Sequence, residues 1–288
     1  MTDHLITPDD LAKLIDASTV RILDVRWRLD RPDGRPDYLA GHIPGAVYVD
    51  LDTELAAHGD PGEGRHPLPS VEALQASARS WGINDGDTVV VYDDLKSMSA
   101  ARAWWLLRYA GMPDVRVLDG SLGGWAASGR SLESGAVTPD HGAVTLSYGH
   151  LPVLSIDDAA AMPESGILLD ARAGERYRGE VEPVDPRAGH IPGAISAPTG
   201  ENVDGDGRFL PADALRARFN TLGAELGAIN GAEHNLPSNV GVYCGSGVTA
   251  AHQALALTLA GFAPAVYPGS WSQWSNTPGR PVATGERE

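Results

Sequence analysis

The chain has 288 residues, 42% hydrophobic and 21% charged, enough for two domains with real cores. Acidic residues outnumber basic ones 38 to 22, a net charge of −16, which argues against nucleic acid and anionic membranes as partners. No apolar run is long enough to span a membrane, and the acidic start MTDHLITPDD lacks a signal-peptide pattern, so a cytoplasmic chain is expected; the lone cysteine, Cys244, excludes an intrachain disulfide and a multi-cysteine metal site.

In chain order, Thr7 caps a helix that carries Asp9 and Asp10 in its first turn and apolar residues from Leu11 to Ile15. VRILDV (20–25) and TVVVYD (88–93) are short apolar runs, as expected for strands buried on both faces. SAARAWWLLRYAG (99–111) reads as a helix stopped by glycine, and VRVLDG (115–120) as the next strand. The stretch 131–151 is rich in Gly, Ser and Pro and is read as a linker. Ser155 then caps a second helix with apolar residues from Ala159 to Met162. The strand GILLDA (166–171), the strand NVGVYC (239–244), the helix TAAHQALALTLAG (249–261) and the strand PAVYPG (264–269) follow. Strand–helix alternation on both sides of the linker predicts two α/β domains, each a mostly parallel sheet flanked by helices.

The two halves repeat one another. GHIPGA occurs at 41–46 and at 189–194; LDVR at 23–26 matches LDAR at 169–172; VVVYDD at 89–94 matches VGVYCG at 240–245. GSLGGW ending at Trp125 matches GSWSQW ending at Trp274, and Gly129-Arg130 matches Gly279-Arg280. Ordered matches at a nearly constant offset mark a tandem duplication. Its parts are a first domain over 1–130, the linker over 131–151, and a second domain over 152–288.

Cys244 falls at the C-terminal end of a strand, where the reactive crevice of a parallel sheet lies. The loop that follows is Gly245-Ser246-Gly247-Val248-Thr249, leading into a helix. Its glycines permit a tight turn that aims amide hydrogens at one point, and the helix adds its positive end. This setting favours the thiolate, the nucleophilic form, and would cradle an anionic persulfide. The alternative, a buried structural cysteine, does not explain the paired glycines. The first half places Asp93 at the equivalent position, in a loop without glycine and one residue longer. A carboxylate cannot act as a thiol nucleophile, so the first half is expected to be a catalytically silent copy that supplies a wall of the site. His42 and His190 occur in both the silent and the active copy and are read as structural. Trp271 and Trp274 are read as packing.

The duplicated GHIPGA, the LDVR and LDAR strands, the Cys244 loop and the terminal GSWSQW with GRPV resemble the tandem-domain rhodanese sulfurtransferases. Within that family the loop CGSGVT is similar to that of 3-mercaptopyruvate sulfurtransferases. Thiosulfate-specific members carry basic residues in the two positions held here by Gly245 and Ser246. The resemblance implies two tandem rhodanese-like domains and a Cys244 persulfide loaded from 3-mercaptopyruvate or thiosulfate. It implies pyruvate (or sulfite) as product, an acceptor such as cyanide, a small thiol or reduced thioredoxin, and no metal or organic cofactor. It implies a triad of Ser246, His66 (in HPLP) and Asp52 (in VDLD) that assists the departing enolate at an inter-domain site. Two arginines would hold the donor carboxylate: Arg176, in ERYRG, and Arg187, with Arg178 as the other candidate for the second. Gly245, Gly247, Val248 and Thr249 would complete the donor site.

Two other readings compete. Cysteine phosphatases need an arginine six residues after the nucleophile; here that residue is Ala250, and no Arg or Lys lies between 244 and 251. A persulfide carrier that is not itself an enzyme would also require Cys244, but it would turn over no small donor.

Overall fold

The short apolar runs of both halves become parallel strands. The computed structural model describes residues 4–224 and 239–286. In the first unit the strands are β1 (Leu5–Ile6), β2 (Val20–Asp24), β3 (Val47–Tyr48), β4 (Thr88–Tyr92) and β5 (Val115–Leu118). They lie in the order β1-β5-β4-β2-β3, every pair parallel. In the second unit β6 (Ile167–Asp170), β7 (Ile195–Ser196), β8 (Val240–Tyr243) and β9 (Ala265–Val266) lie in the order β7-β6-β8-β9, again parallel. An isolated parallel bridge from Val153 to Val266 stands where β1 stands in the first sheet. Thr7 and Ser155 cap their helices as expected, each hydroxyl accepting from the amide three residues on. The chain thus has two α/β units of the expected class.

The division of the chain does not follow the duplication alone. The first unit comprises Met1–Ala57, Leu68–His150 and Val203–Phe209; the second comprises His58–Pro67, Leu151–Asn202 and Leu210–Glu288. Residues 58–67 join the second unit through a short 3-10 turn, Pro61–Glu63, and through the Arg65 amide, which donates to Ser272 Oγ at 3.0 Å. The stretch read as a linker is not a free tether. It runs along the first unit, with Val144 and Leu146 buried and with amides of Glu133, Gly142, Val144 and Ser147 donating to carbonyls of that unit. Its glycines and prolines hid two apolar anchors.

The repeated LDVR and LDAR prove to be buried ion pairs at strand ends. Arg26 Nη2 lies 2.7 Å from Asp24 Oδ2, and Arg172 Nη2 lies 2.6 Å from Asp170 Oδ2. Each guanidinium also donates to the first carbonyl of the GHIPGA turn, Gly41 at 2.8 Å and Gly189 at 2.6 Å. The next strand joins the same knot: the Tyr92 hydroxyl donates to Asp24 at 2.6 Å and accepts from the Ile43 amide, and the Tyr243 hydroxyl accepts from the Ile191 amide. Burial pushes the Asp24 carboxyl up, while the Arg26 guanidinium opposes the shift. His42 and His190 stack on Tyr38 and Tyr177 and bond to their carbonyls, a structural role in both copies.

Removing one partner of such a pair strands the other charge in the interior. Arg26→Leu is therefore expected to destabilise the protein by about 3–5 kcal/mol in denaturant unfolding. A loss below about 1 kcal/mol would mean that the pair is dispensable.

Candidate active site

β8 delivers Tyr243 into the ion-pair knot and Cys244 directly beyond it. The loop is then pinned by the turn after β9. The Cys244 amide donates to Ser270 Oγ at 3.1 Å, the Trp271 amide donates to the Cys244 carbonyl at 2.9 Å, and the Ser272 amide donates to the Gly245 carbonyl at 2.8 Å. Gly247 has φ +82 and caps the helix Val248–Leu259, so Val248 and Thr249 open that helix as the sequence suggested. Cys244 is only 1% exposed. Its sulfur nevertheless has a polar partner: the Gly247 amide donates to Cys244 Sγ at 3.1 Å. An N–H aimed at sulfur stabilises negative charge there, which a purely apolar role would not need.

On the same loop, Ser246 Oγ lies 2.7 Å from His66 Nδ1, both side chains buried. The sequence placed His66 in the first half; the structure folds its segment into the second unit, where it meets the cysteine loop. Asp52 sits in the first unit, in the helix Leu51–Glu54, where its Oδ1 accepts from Trp27 Nε1 at 3.0 Å. Asp50, rather than Asp52, caps that helix.

The arginines are arranged differently from the expectation. Arg176 does reach the loop. Arg187 does not serve as its companion: its guanidinium donates to the carbonyls of Ser275, Arg280, Trp274 and Thr277 and closes the end of the helix Ser270–Asn276. Carbonyls at and just beyond the helix end claimed it. Arg178 is paired with Glu180 at the surface. The second guanidinium at the loop belongs to Arg65. A Cβ placed on Gly245 would lie 3.2 Å from Arg65 Nη2 and 3.4 Å from Arg176 Nη1, so the two cations flank the residue after Cys244. Glycine at 245 therefore does not leave the loop uncharged; two guanidiniums fill the place a basic side chain would take. Arg65 adjoins His66 in sequence, and that adjacency was the available signal.

Two carboxylates complete the cluster. Arg176 Nη2 lies 2.6 Å from Glu182 Oε1 and 3.5 Å from Asp185 Oδ2, and Arg65 Nη1 is paired with Asp185 Oδ1. A cleft of about 330 Å³ opens beside them, lined by Arg65, Asp185, Val184, Pro186, His58 and Asn276. It is large enough for a small organic anion. Among the described residues no group of three or more His, Cys, Asp or Glu is placed to hold a metal ion, and no helix is long and apolar enough to cross a membrane.

The family profile of the rhodanese-like domain matches residues 7–128 and again 155–277. The chain belongs to the rhodanese-like family. A Mycobacterium tuberculosis protein that bears the name thiosulfate sulfurtransferase SseB is 49% identical over 285 residues, covering 98% of this chain and 97% of its own. A Pseudomonas aeruginosa protein named as a 3-mercaptopyruvate sulfurtransferase is 43% identical, covering 98% and 99%. The crystal structure of the Escherichia coli 3-mercaptopyruvate sulfurtransferase SseA superposes with a TM-score of 0.79 at 34% identity, over 94% of this chain and 99% of that one. Sulfur transfer is thus the activity in the names of these relatives, whereas the donor differs between them.

The first unit shows what the same loop does without a thiol. Asp93 collects the amides of Leu95 and Ser97 and the Ser121 hydroxyl on Oδ1, and the amides of Ser99 and Ala100 and the Ser99 hydroxyl on Oδ2. Lacking glycine, the loop turns with Lys96 and Ser97 at positive φ. Its anion site is occupied permanently by its own side chain. Asp93→Asn turns an amide group toward some of these donors and is expected to cost about 1–3 kcal/mol of stability by thermal or denaturant unfolding. An unchanged stability would show that the amides do not depend on the charge.

Proposed function

We propose that the chain is a sulfurtransferase that takes sulfur from 3-mercaptopyruvate onto Cys244 and passes it to a thiol or cyanide acceptor. The observation that carries the choice of donor is the 2.7 Å contact between Ser246 Oγ and His66 Nδ1 on the nucleophile's own loop. The C–S electron pair of 3-mercaptopyruvate leaves into an enolate, which must gain a proton to become pyruvate. Sulfite, the leaving group of thiosulfate, needs none. A hydroxyl–imidazole pair beside the sulfur supplies that proton.

The steps follow from the residues. Arg65 and Arg176 hold the donor carboxylate beside Gly245. The Cys244 thiolate attacks the donor sulfur; the new S–S bond forms as the C–S bond breaks. The enolate is protonated through Ser246 and His66 and leaves as pyruvate. The Gly247 amide, already directed at Sγ, holds the charge of the persulfide loop. The outer sulfur then passes to the acceptor nucleophile, and the Cys244 thiolate is restored. No cofactor is required, because donor and acceptor between them balance the electrons.

Steady-state assays with cyanide as acceptor test this reading. Pyruvate release from 3-mercaptopyruvate should proceed with a kcat/KM well above that for sulfite release from thiosulfate. A reversed ratio would make the chain a thiosulfate sulfurtransferase, and no turnover with either donor would make it a carrier. Ser246→Ala should lower kcat with 3-mercaptopyruvate by about 10²-fold and affect thiosulfate far less. Equal losses with both donors would remove the proton-transfer role. Arg176→Ala should raise KM for 3-mercaptopyruvate more than for thiosulfate, which lacks a carboxylate.

A further inference from the structure

Asp185 is an unexpected neighbour for an anion-binding pair. Its side chain is 2% exposed, and it contacts both guanidiniums that flank the nucleophile's loop. The division of labour on each arginine is geometrical. Arg65 turns Nη1 to Asp185 and Nη2 to Gly245; Arg176 turns Nη2 to Asp185 and Glu182 and Nη1 to Gly245. One edge of each fork is thus held by a protein carboxylate, while the other faces the place where a donor would sit. The turn that carries Asp185 is folded for this purpose: the amides of Val184 and Asp185 both donate to Glu182 Oε1, at 3.2 and 3.1 Å. Asp185 also lines the cleft that Arg65 borders.

Burying this carboxylate is costly, and burial pushes its carboxyl above the usual range against the opposing pull of Arg65. The charge it brings changes what the site can accept. The guanidiniums of Arg65, Arg172 and Arg176 face the carboxylates of Asp170, Glu182 and Asp185. The cluster therefore carries no net charge before a donor arrives. A monoanionic donor adds one negative charge to it, and a dianion adds two.

We propose that Asp185 is a specificity-determining residue: its fixed carboxylate occupies one edge of the Arg65–Arg176 pair and selects monoanionic sulfur donors against dianionic ones. This rests on the reading that those arginines hold the donor of Cys244. Asp185 orients the free guanidinium edges toward the loop and at the same time limits the negative charge they will accept.

The test compares wild type with Asp185→Asn, which keeps the shape and removes the charge. The ratio of kcat/KM for thiosulfate to that for 3-mercaptopyruvate should rise by about tenfold, the effect of one unit charge a few ångströms away in a partly buried site. A ratio unmoved within about twofold, even with both activities lowered, would overturn the proposal and leave Asp185 a merely structural residue. Should Asp185→Asn fail to fold, wild type alone decides, through inhibition by pyruvate and oxalate, a monoanion and a dianion of similar size. Pyruvate should bind more tightly; tighter binding of oxalate would overturn the proposal. Wild type that turns over neither donor would sink the donor-site reading together with this one, whereas turnover with an insensitive ratio would sink this one alone.

Discussion

The buried Asp170–Arg172 ion pair is the constraint from which the second unit is built outward. It sits at the end of β6, ties down the first carbonyl of the GHIPGA turn and meets Tyr243 on the neighbouring strand. The residue after Tyr243 is Cys244, the proposed nucleophile. Arg172 also lies 3.4 Å from Glu182, which holds Arg176, which with Arg65 meets Asp185. A continuous chain of alternating charges thus runs from the sheet to the guanidinium edges beside Gly245. The precision of the site follows from that anchoring: side chains whose partners are themselves buried and paired have few alternative positions.

The first unit repeats the beginning of this construction and not its end. Asp24, Arg26 and Tyr92 reproduce the knot with nearly the same distances. The loop beyond Tyr92 then closes around Asp93, whose carboxylate takes the amides and hydroxyls an external anion would need. The side chain after the tyrosine, a carboxylate in one copy and a thiol in the other, together with the two glycines of the second loop, separates a loop filled by its own side chain from the one proposed to load sulfur. Duplication kept the scaffold in both copies and the cysteine in one.

The sequence made the scaffold legible because its determinants are local. Thr7 and Ser155 announce their helices, short apolar runs announce buried strands, and repetition of LDVR, GHIPGA and the strand before Cys244 fixes their order. The cysteine loop was legible for the same reason. The arginine pair was not. The resemblance suggested Arg187 as the companion of Arg176, yet helix-end carbonyls hold Arg187, and the second guanidinium beside Gly245 is that of Arg65, because residues 58–67 fold with the second unit. The strap over 131–151 reads as a tether from its composition, yet Val144 and Leu146 are buried and Tyr148 stacks on Tyr109 of the first unit. Asp185 carried no local signal at all; its meaning depends on a cation more than a hundred residues away.

The most direct measurement is the intact mass of the protein after exposure to 3-mercaptopyruvate without acceptor, followed by addition of cyanide. Cys244, with the Gly247 amide at its sulfur, should gain one sulfur atom and lose it as thiocyanate, and Cys244→Ser should show neither change. A wild-type mass that never moves, or an adduct that survives in Cys244→Ser, would contradict sulfur transfer through this thiol.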